Sequence, residues 1–167
     1  SVKGGNSEHI DFDGPNNDLE VIDIFSTDYA FATLRSDGSV VTWGDSHYGG
    51  DSSSVSTSLS SDVSQIYSTD YAFAALKEDG SVVTWGNPDY GGDSSSVSSD
   101  LSSGVKEIFN NHSAFAALKN DGSVVTWGSV KGGNSEHIDF DGPNNDLEVI
   151  DIFSTDYAFA TLRSDGS

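Results

Sequence analysis

The sequence predicts an all-β fold: tandem repeats of about 42 residues forming propeller-like antiparallel blades, and three observations predict it. The pentapeptide Val-Val-Thr-Trp-Gly recurs with its indole at Trp43, Trp85 and Trp127, 42 residues apart each time. Asp-Gly-Ser recurs with its serine at Ser39, Ser81, Ser123 and Ser167, at spacings of 42, 42 and 44. The first 39 residues return unchanged as Ser129 to Ser167. A fixed period of this length marks one supersecondary unit copied several times, each copy burying the apolar face of the next.

Four units follow from this spacing: 1–44, with a long loop, 45–86, 87–128, and 129–167, which repeats 1–39 and is incomplete. The first element of each is a short run such as Val63-Ser64-Gln65-Ile66-Tyr67 or Val105-Lys106-Glu107-Ile108-Phe109. These are β-branched and aromatic, and Ser, Asp or Asn bounds them, which is strand chemistry. Next comes Tyr71-Ala72-Phe73-Ala74-Ala75-Leu76, apolar on both faces with only small side chains on one. Between Asp70 and Asp79-Gly80 it is too short for a stable helix, and Asp-Gly is a hairpin signal, so it reads as a strand covered on both sides. Ser81 to Gly86 completes the hairpin and places Val83 and Trp85 on one face, the Trp as a packing anchor repeated once per unit. The stretch after Trp-Gly, Asn87 to Ser96, is loop chemistry, followed by a weak fourth strand or a short helical turn around Val97 to Leu101.

Composition narrows the function classes. Hydrophobic residues are 35% of the chain, too few to fold if scattered, but they are concentrated in regularly spaced short runs. Seven basic against 27 acidic residues give a formal charge of -20, which repels nucleic acid phosphates and anionic membranes, attracts divalent cations and suits a salt-rich medium. The absence of cysteine rules out disulfides and thiol chemistry. There is no run of about 18 apolar residues to insert in a membrane. No basic start followed by an apolar stretch marks a signal peptide, and with no methionine the chain is expected to be a processed or excised piece of something longer.

The pattern Val-x-x-Ile-Phe, then Ala-Phe-Ala-Ala-Leu-Lys-x-Asp-Gly-Ser-Val-Val-Thr-Trp-Gly, then Tyr-Gly-Gly resembles the repeat of the regulator of chromosome condensation family, over nearly the whole chain. The resemblance implies one β-propeller blade per repeat, with a hairpin turn at Asp-Gly and a strand ending at Trp-Gly. The implied positions are Asp37, Gly38, Trp43 and Gly44; Asp79, Gly80, Trp85 and Gly86; Asp121, Gly122, Trp127 and Gly128; and Asp165 with Gly166. The chain departs from the family in its shorter repeat, in Ser68 or Asn110 where a glycine is usual, and in Gly91-Gly92-Asp93 where the tail is Gly-Gln-Leu-Gly. In these respects it is similar to shortened copies in large acidic bacterial surface proteins. The family's exchange-factor activity does not carry over, because the blade pattern does not contain what it depends on.

With three Trp-bearing strands for four units, the last hairpin is expected to expose an edge at Ala158 to Leu162, which a neighbouring copy can pair. Two architectures are open: blades curving into a ring, or units stacking as a solenoid. Antiparallel hairpins with one Trp each favour blades.

Oxygen donors alternate around a turn in Asp11, Asp13, Asn16, Asp18 and Glu20, and again in Asp139, Asp141, Asn144, Asp146 and Glu148. Calcium takes six to eight such ligands, so these loops are expected to bind it weakly, against the plain reading of polar turns. His9, His47, His112 and His137 fall in loops without a second ligand at helical spacing, which argues against zinc. No Gly-x-Ser-x-Gly elbow or spaced His-Asp pairing points to an enzyme. The expected function is a structural or adhesive segment of an extracellular surface protein or filament, joined end to end to copies of itself through strand or blade pairing, with calcium as its sole expected cofactor. The alternative is a propeller-type binding module whose Tyr-Gly-Gly loops, at Tyr48 and Tyr90, meet protein or glycan ligands.

Overall fold

The computed structural model describes residues 19–130, 149–164 and 166. Strands β1 (Val21–Ser26), β2 (Ala30–Arg35) and β3 (Val40–Gly44) form one antiparallel meander, as do β4 (Val63–Ser68), β5 (Ala72–Lys77) and β6 (Val82–Gly86). A third consists of β7 (Val105–Asn110), β8 (Ala114–Lys119) and β9 (Val124–Gly128). The last sheet pairs β10 (Val149–Thr155) with β11 (Ala158–Arg163), and among the described residues no third strand lies on β11. The chain is thus an all-β row of propeller-like blades.

The Asp-Gly turn sets the register of each hairpin and also joins blade to blade. Asp79 accepts hydrogen bonds from the backbone N–H and hydroxyl of Ser81 at 2.9 and 2.6 Å, an Asx-type turn. Gly80 completes it at φ +78, where a side chain is strained, and a Cβ there would stand 2.9 Å from the Gly104 nitrogen of the next unit. Its carbonyl accepts from Val105 N–H at 3.0 Å, and Gly38 does the same for Val63. A local turn signal therefore carries an inter-blade bond.

The core lies between sheets, because a three-stranded sheet on its own has nothing to cover its faces. Phe73 and Ala75 pack toward the first blade with Ile66 and Trp85, while Ala72, Ala74 and Leu76 pack toward the third. All five residues from Ala72 to Leu76 are buried, and the small alanines let successive sheets approach closely. Trp85 stacks on Phe73 with centroids 5.2 Å apart and donates its indole N–H to the Gly49 carbonyl of the preceding loop at 3.0 Å. Trp127 repeats this on Phe115 and Gly91. Trp43, in the first blade, stacks on Phe31 but is only half-buried.

Past Trp43-Gly44 the chain forms two short 3₁₀ turns, Ser46–Tyr48 and Ser53–Val55, and past Trp85-Gly86 it forms Pro88–Tyr90 and Ser95–Val97. No fourth strand forms there among the described residues. Asp45 and Asn87 cap the first turns by accepting from His47 and Asp89 N–H. The turns tuck Leu59 and Leu101 beneath the sheets, and their carbonyls accept from Val40 and Val82 N–H at 2.9 Å. Serine-rich sequence capped by Asx residues satisfies its backbone locally, so it needs no sheet partner.

Candidate functional site: the loop face

The loops between the first and second strands of the four blades, 26–29, 68–71, 110–113 and 154–157, lie together on one face of the row. In two of them a threonine holds the shape. Thr27 Oγ1 accepts from Ala30 N–H at 3.1 Å and donates to the Tyr48 carbonyl at 2.8 Å. Thr69 does the same with Ala72 and Tyr90, both at 3.0 Å. In the third, Asn111 Oδ1 accepts from Ser113 and Ala114 N–H at 3.0 and 2.9 Å. A backbone relay then links loop to loop: Asp28 N–H to the Asp70 carbonyl at 3.0 Å, Asp70 to His112 at 3.1 Å, and His112 to Asp156 at 3.3 Å.

These loops enclose an open cavity of about 450 Å³ lined by hydroxyls, amides, carboxylates and one imidazole. Asp28, Asp70 and Asp156 point their acidity at it, and His112 sits between two of them. His112 Nδ1 is 2.8 Å from Asp70 Oδ2, and Nε2 is 3.4 Å from Asp156 Oδ1. The hydrogen bond that the imidazole donates to the Asp70 carboxylate raises the His112 pKa, with the charges of Asp70 and Asp156 adding to it. The imidazole also stacks on Tyr157, centroids 5.9 Å apart.

A ladder of tyrosines flanks the cavity. Tyr29 meets Tyr48 edge-on at 4.7 Å, Tyr48 lies 4.8 Å from Tyr71, and Tyr71 lies 4.2 Å from Tyr90. Desolvation among these rings, then the neighbouring tyrosines and Asp28 and Asp70, push the Tyr71 phenol above its ordinary pKa. Tyr48 and Tyr90 also pack on the blade cores, so they are half-buried supports as well as surface. The arrangement presents carboxylates and aromatic faces together, the two group types that attract a cation.

Of the residues proposed for calcium, Asp11, Asp13, Asn16, Asp18, Asp139, Asp141, Asn144, Asp146 and Glu148 lie outside the described residues. Glu20 is described and exposed, with its backbone paired to Ser36. Among the described residues no cluster of His, Cys, Asp or Glu is placed to hold a metal ion. The structure instead brings together Asp28, Asp70, His112 and Asp156; sequence reading weighed His112 only as a zinc ligand and passed over the three aspartates. Their spacings of 42, 42 and 44 carried the signal, since a ring axis gathers equivalent positions of successive blades.

The sequence matches no protein-family model, and comparison with curated proteins finds no match. Solved structures do match in fold. Yeast RCC1 (Prp20), seen bound to Kap60, is 18% identical with a TM-score of 0.55 over 89% of this chain and 41% of its own. Prp20p from Saccharomyces cerevisiae, in a structure described with its binding properties to Gsp1p and histones, is 20% identical with a TM-score of 0.55, covering 89% and 42%. Human WBSCR16 is 19% identical with a TM-score of 0.54, covering 89% and 46%. The fold is RCC1-like, and the chain spans less than half the length of each of these proteins.

Proposed function

We propose that the chain is a propeller-type protein-binding module whose loop face takes a cationic segment of a partner. One observation carries this: Asp28, Asp70 and Asp156 converge on one cavity beside a tyrosine ladder, in a chain of formal charge -20. Carboxylates in a concave site focus attraction on Lys and Arg, and tyrosine faces add cation–π contacts. Prp20, which shares the fold, is described as binding proteins, histones among them, and that supports a protein ligand here. A lysine- and arginine-rich peptide titrated by fluorescence anisotropy is expected to bind, and more weakly as salt rises. Replacing Asp28, Asp70 and Asp156 together with Asn is expected to weaken it about tenfold or more. Equal binding of an acidic peptide, or no loss in the triple variant, refutes the reading.

A second reading has its own observation. Large apolar side chains are exposed at both ends of the row, Ile22 and Ile24 in the first blade and Phe153 and Tyr157 in the last. Such patches mark association surfaces, so the chain also serves as a structural or adhesive segment that joins copies of itself, in an extracellular, salt-rich setting. Light scattering that finds only monomer at high concentration refutes self-association. Calcium stiffening by Asp11 to Glu20 and Asp139 to Glu148 belongs to this reading. Calorimetry with millimolar calcium, with no heat and no thermal shift, refutes that part.

A further inference from the structure

We propose that His112 is a built-in counter-cation of the loop-face cavity: its imidazolium occupies carboxylates that a lysine or arginine of the partner would take, so a cationic segment binds more tightly as pH rises. This rests on the reading above that the loop face takes a cationic segment, and it adds how that site is regulated.

The repeat places Asp28, Asp70, His112 and Asp156 at equivalent positions, so a basic side chain stands where the other units put an acid. Among the described residues that line the cavity, His112 alone can carry positive charge. Each of its ring nitrogens faces a carboxylate, Nδ1 at 2.8 Å from Asp70 Oδ2 and Nε2 at 3.4 Å from Asp156 Oδ1. A neutral imidazole has one N–H and one lone pair, so it can donate to only one of the two. Both contacts are attractive only when both nitrogens carry hydrogen. Loss of the proton turns a lone pair toward a carboxylate oxygen, and the longer contact gives way, the one to Asp156, whose side chain is 75% exposed. A carboxylate deprived of its counter-charge is then free for a lysine or arginine.

The switch is one of charge, with the loops held in place by other bonds. Asp70 N–H donates to the His112 carbonyl at 3.1 Å and His112 N–H to the Asp156 carbonyl at 3.3 Å, whatever the ring's protonation, and the ring stacks on Tyr157. The groups that face the ring are Asp70 from the second blade and Asp156 and Tyr157 from the last, with Asp28 lining the same cavity; its own loop, 110–113, adds no other charge. Carboxylates ordinarily titrate near pH 4 and phenols near pH 10, so between about pH 5.5 and 8.5 imidazole is the group that changes. The raised His112 pKa keeps the ring charged further into that window. A bound cation opposes the charge of the adjacent ring, so binding expels the proton, and by reciprocity the proton opposes binding.

The test uses a histidine-free lysine- and arginine-rich peptide with blocked ends, titrated by fluorescence anisotropy from pH 5.5 to 8.5 at constant ionic strength. Binding to the parent chain is expected to tighten with pH, by at most about tenfold per unit, and to level off above the His112 midpoint. Calorimetry in buffers of different ionisation heat is expected to show proton release on binding at pH 6.5. His112→Gln, which keeps a donor without the charge, is expected to bind with little pH dependence and more tightly than the parent at pH 5.5. His47→Gln, whose ring pairs with Asp45 outside the cavity, is expected to keep the parent's profile. A peptide that fails to bind the parent at every pH overturns the cationic-ligand reading and the switch with it. Binding to the parent that is flat or weakens with pH, or that releases no proton, overturns the switch alone, as does a parent-like pH slope in a folded His112→Gln.

Discussion

At the scale of single residues, His112 is the most informative side chain, because it occupies the position that aspartate holds in the other three blades. Between Asp70 and Asp156 it replaces a like-charge contact with an attractive one, which ties three loops together. Its pKa is raised, chiefly by the hydrogen bond it donates to Asp70, above the ordinary 6.5. The protonated form is then favoured in the folded chain, so its stabilising contribution is fully present below the ordinary pKa and is lost as pH rises through the raised value. A proton NMR titration is expected to place the His112 midpoint above 6.5, and Asp70→Asn to lower it. A midpoint unchanged in Asp70→Asn would show that the pairing is absent in solution.

At the scale of the element, the short turns after Trp43-Gly44 and Trp85-Gly86 do more than reverse the chain. Gly49, at φ +92, lies so close to the next blade that a Cβ would sit 2.6 Å from Phe73 Cδ2. Its carbonyl takes the Trp85 indole N–H. Gly49→Ala is expected to destabilise the fold by about 1–3 kcal/mol, from the left-handed backbone and the overpacked ring, read as a lower urea midpoint. Trp85→Phe removes the donor and leaves the Gly49 carbonyl short of a partner in the interior, at a cost of about 1–3 kcal/mol beyond the lost area. The same change at Trp43, which is half-buried, is expected to cost less. Equal losses at the two positions would mean that burial between blades is not what the indoles contribute.

For the whole molecule, stability is passed between neighbours, and charge opposes it. Each blade buries its faces on the next, so cohesion accumulates from blade to blade along the row. With 27 acidic against seven basic residues, self-repulsion is spread over the surface. Added salt screens it, so the melting temperature is expected to rise between low and physiological ionic strength, checked by scanning calorimetry. A melting temperature that falls with sodium chloride would show that specific ion pairs outweigh net repulsion.

The sequence alone was enough to assign the period, the strand order within a blade and the Asp-Gly turns, and its expectation of a buried indole in every unit holds at Trp85 and Trp127 but not at the half-buried Trp43. All of these arise from neighbours within one or two units, where alternation, turn chemistry and the recurrence of Trp act locally. Tertiary structure alone decided that Asp28, Asp70, His112 and Asp156 share one cavity, and that Tyr29, Tyr48, Tyr71 and Tyr90 touch in series. Those residues are about 20 to 40 positions apart, and only the rotation from blade to blade brings them together. Side chains that look like ordinary loop residues acquire a joint electrostatic character once that rotation aims them at a common axis.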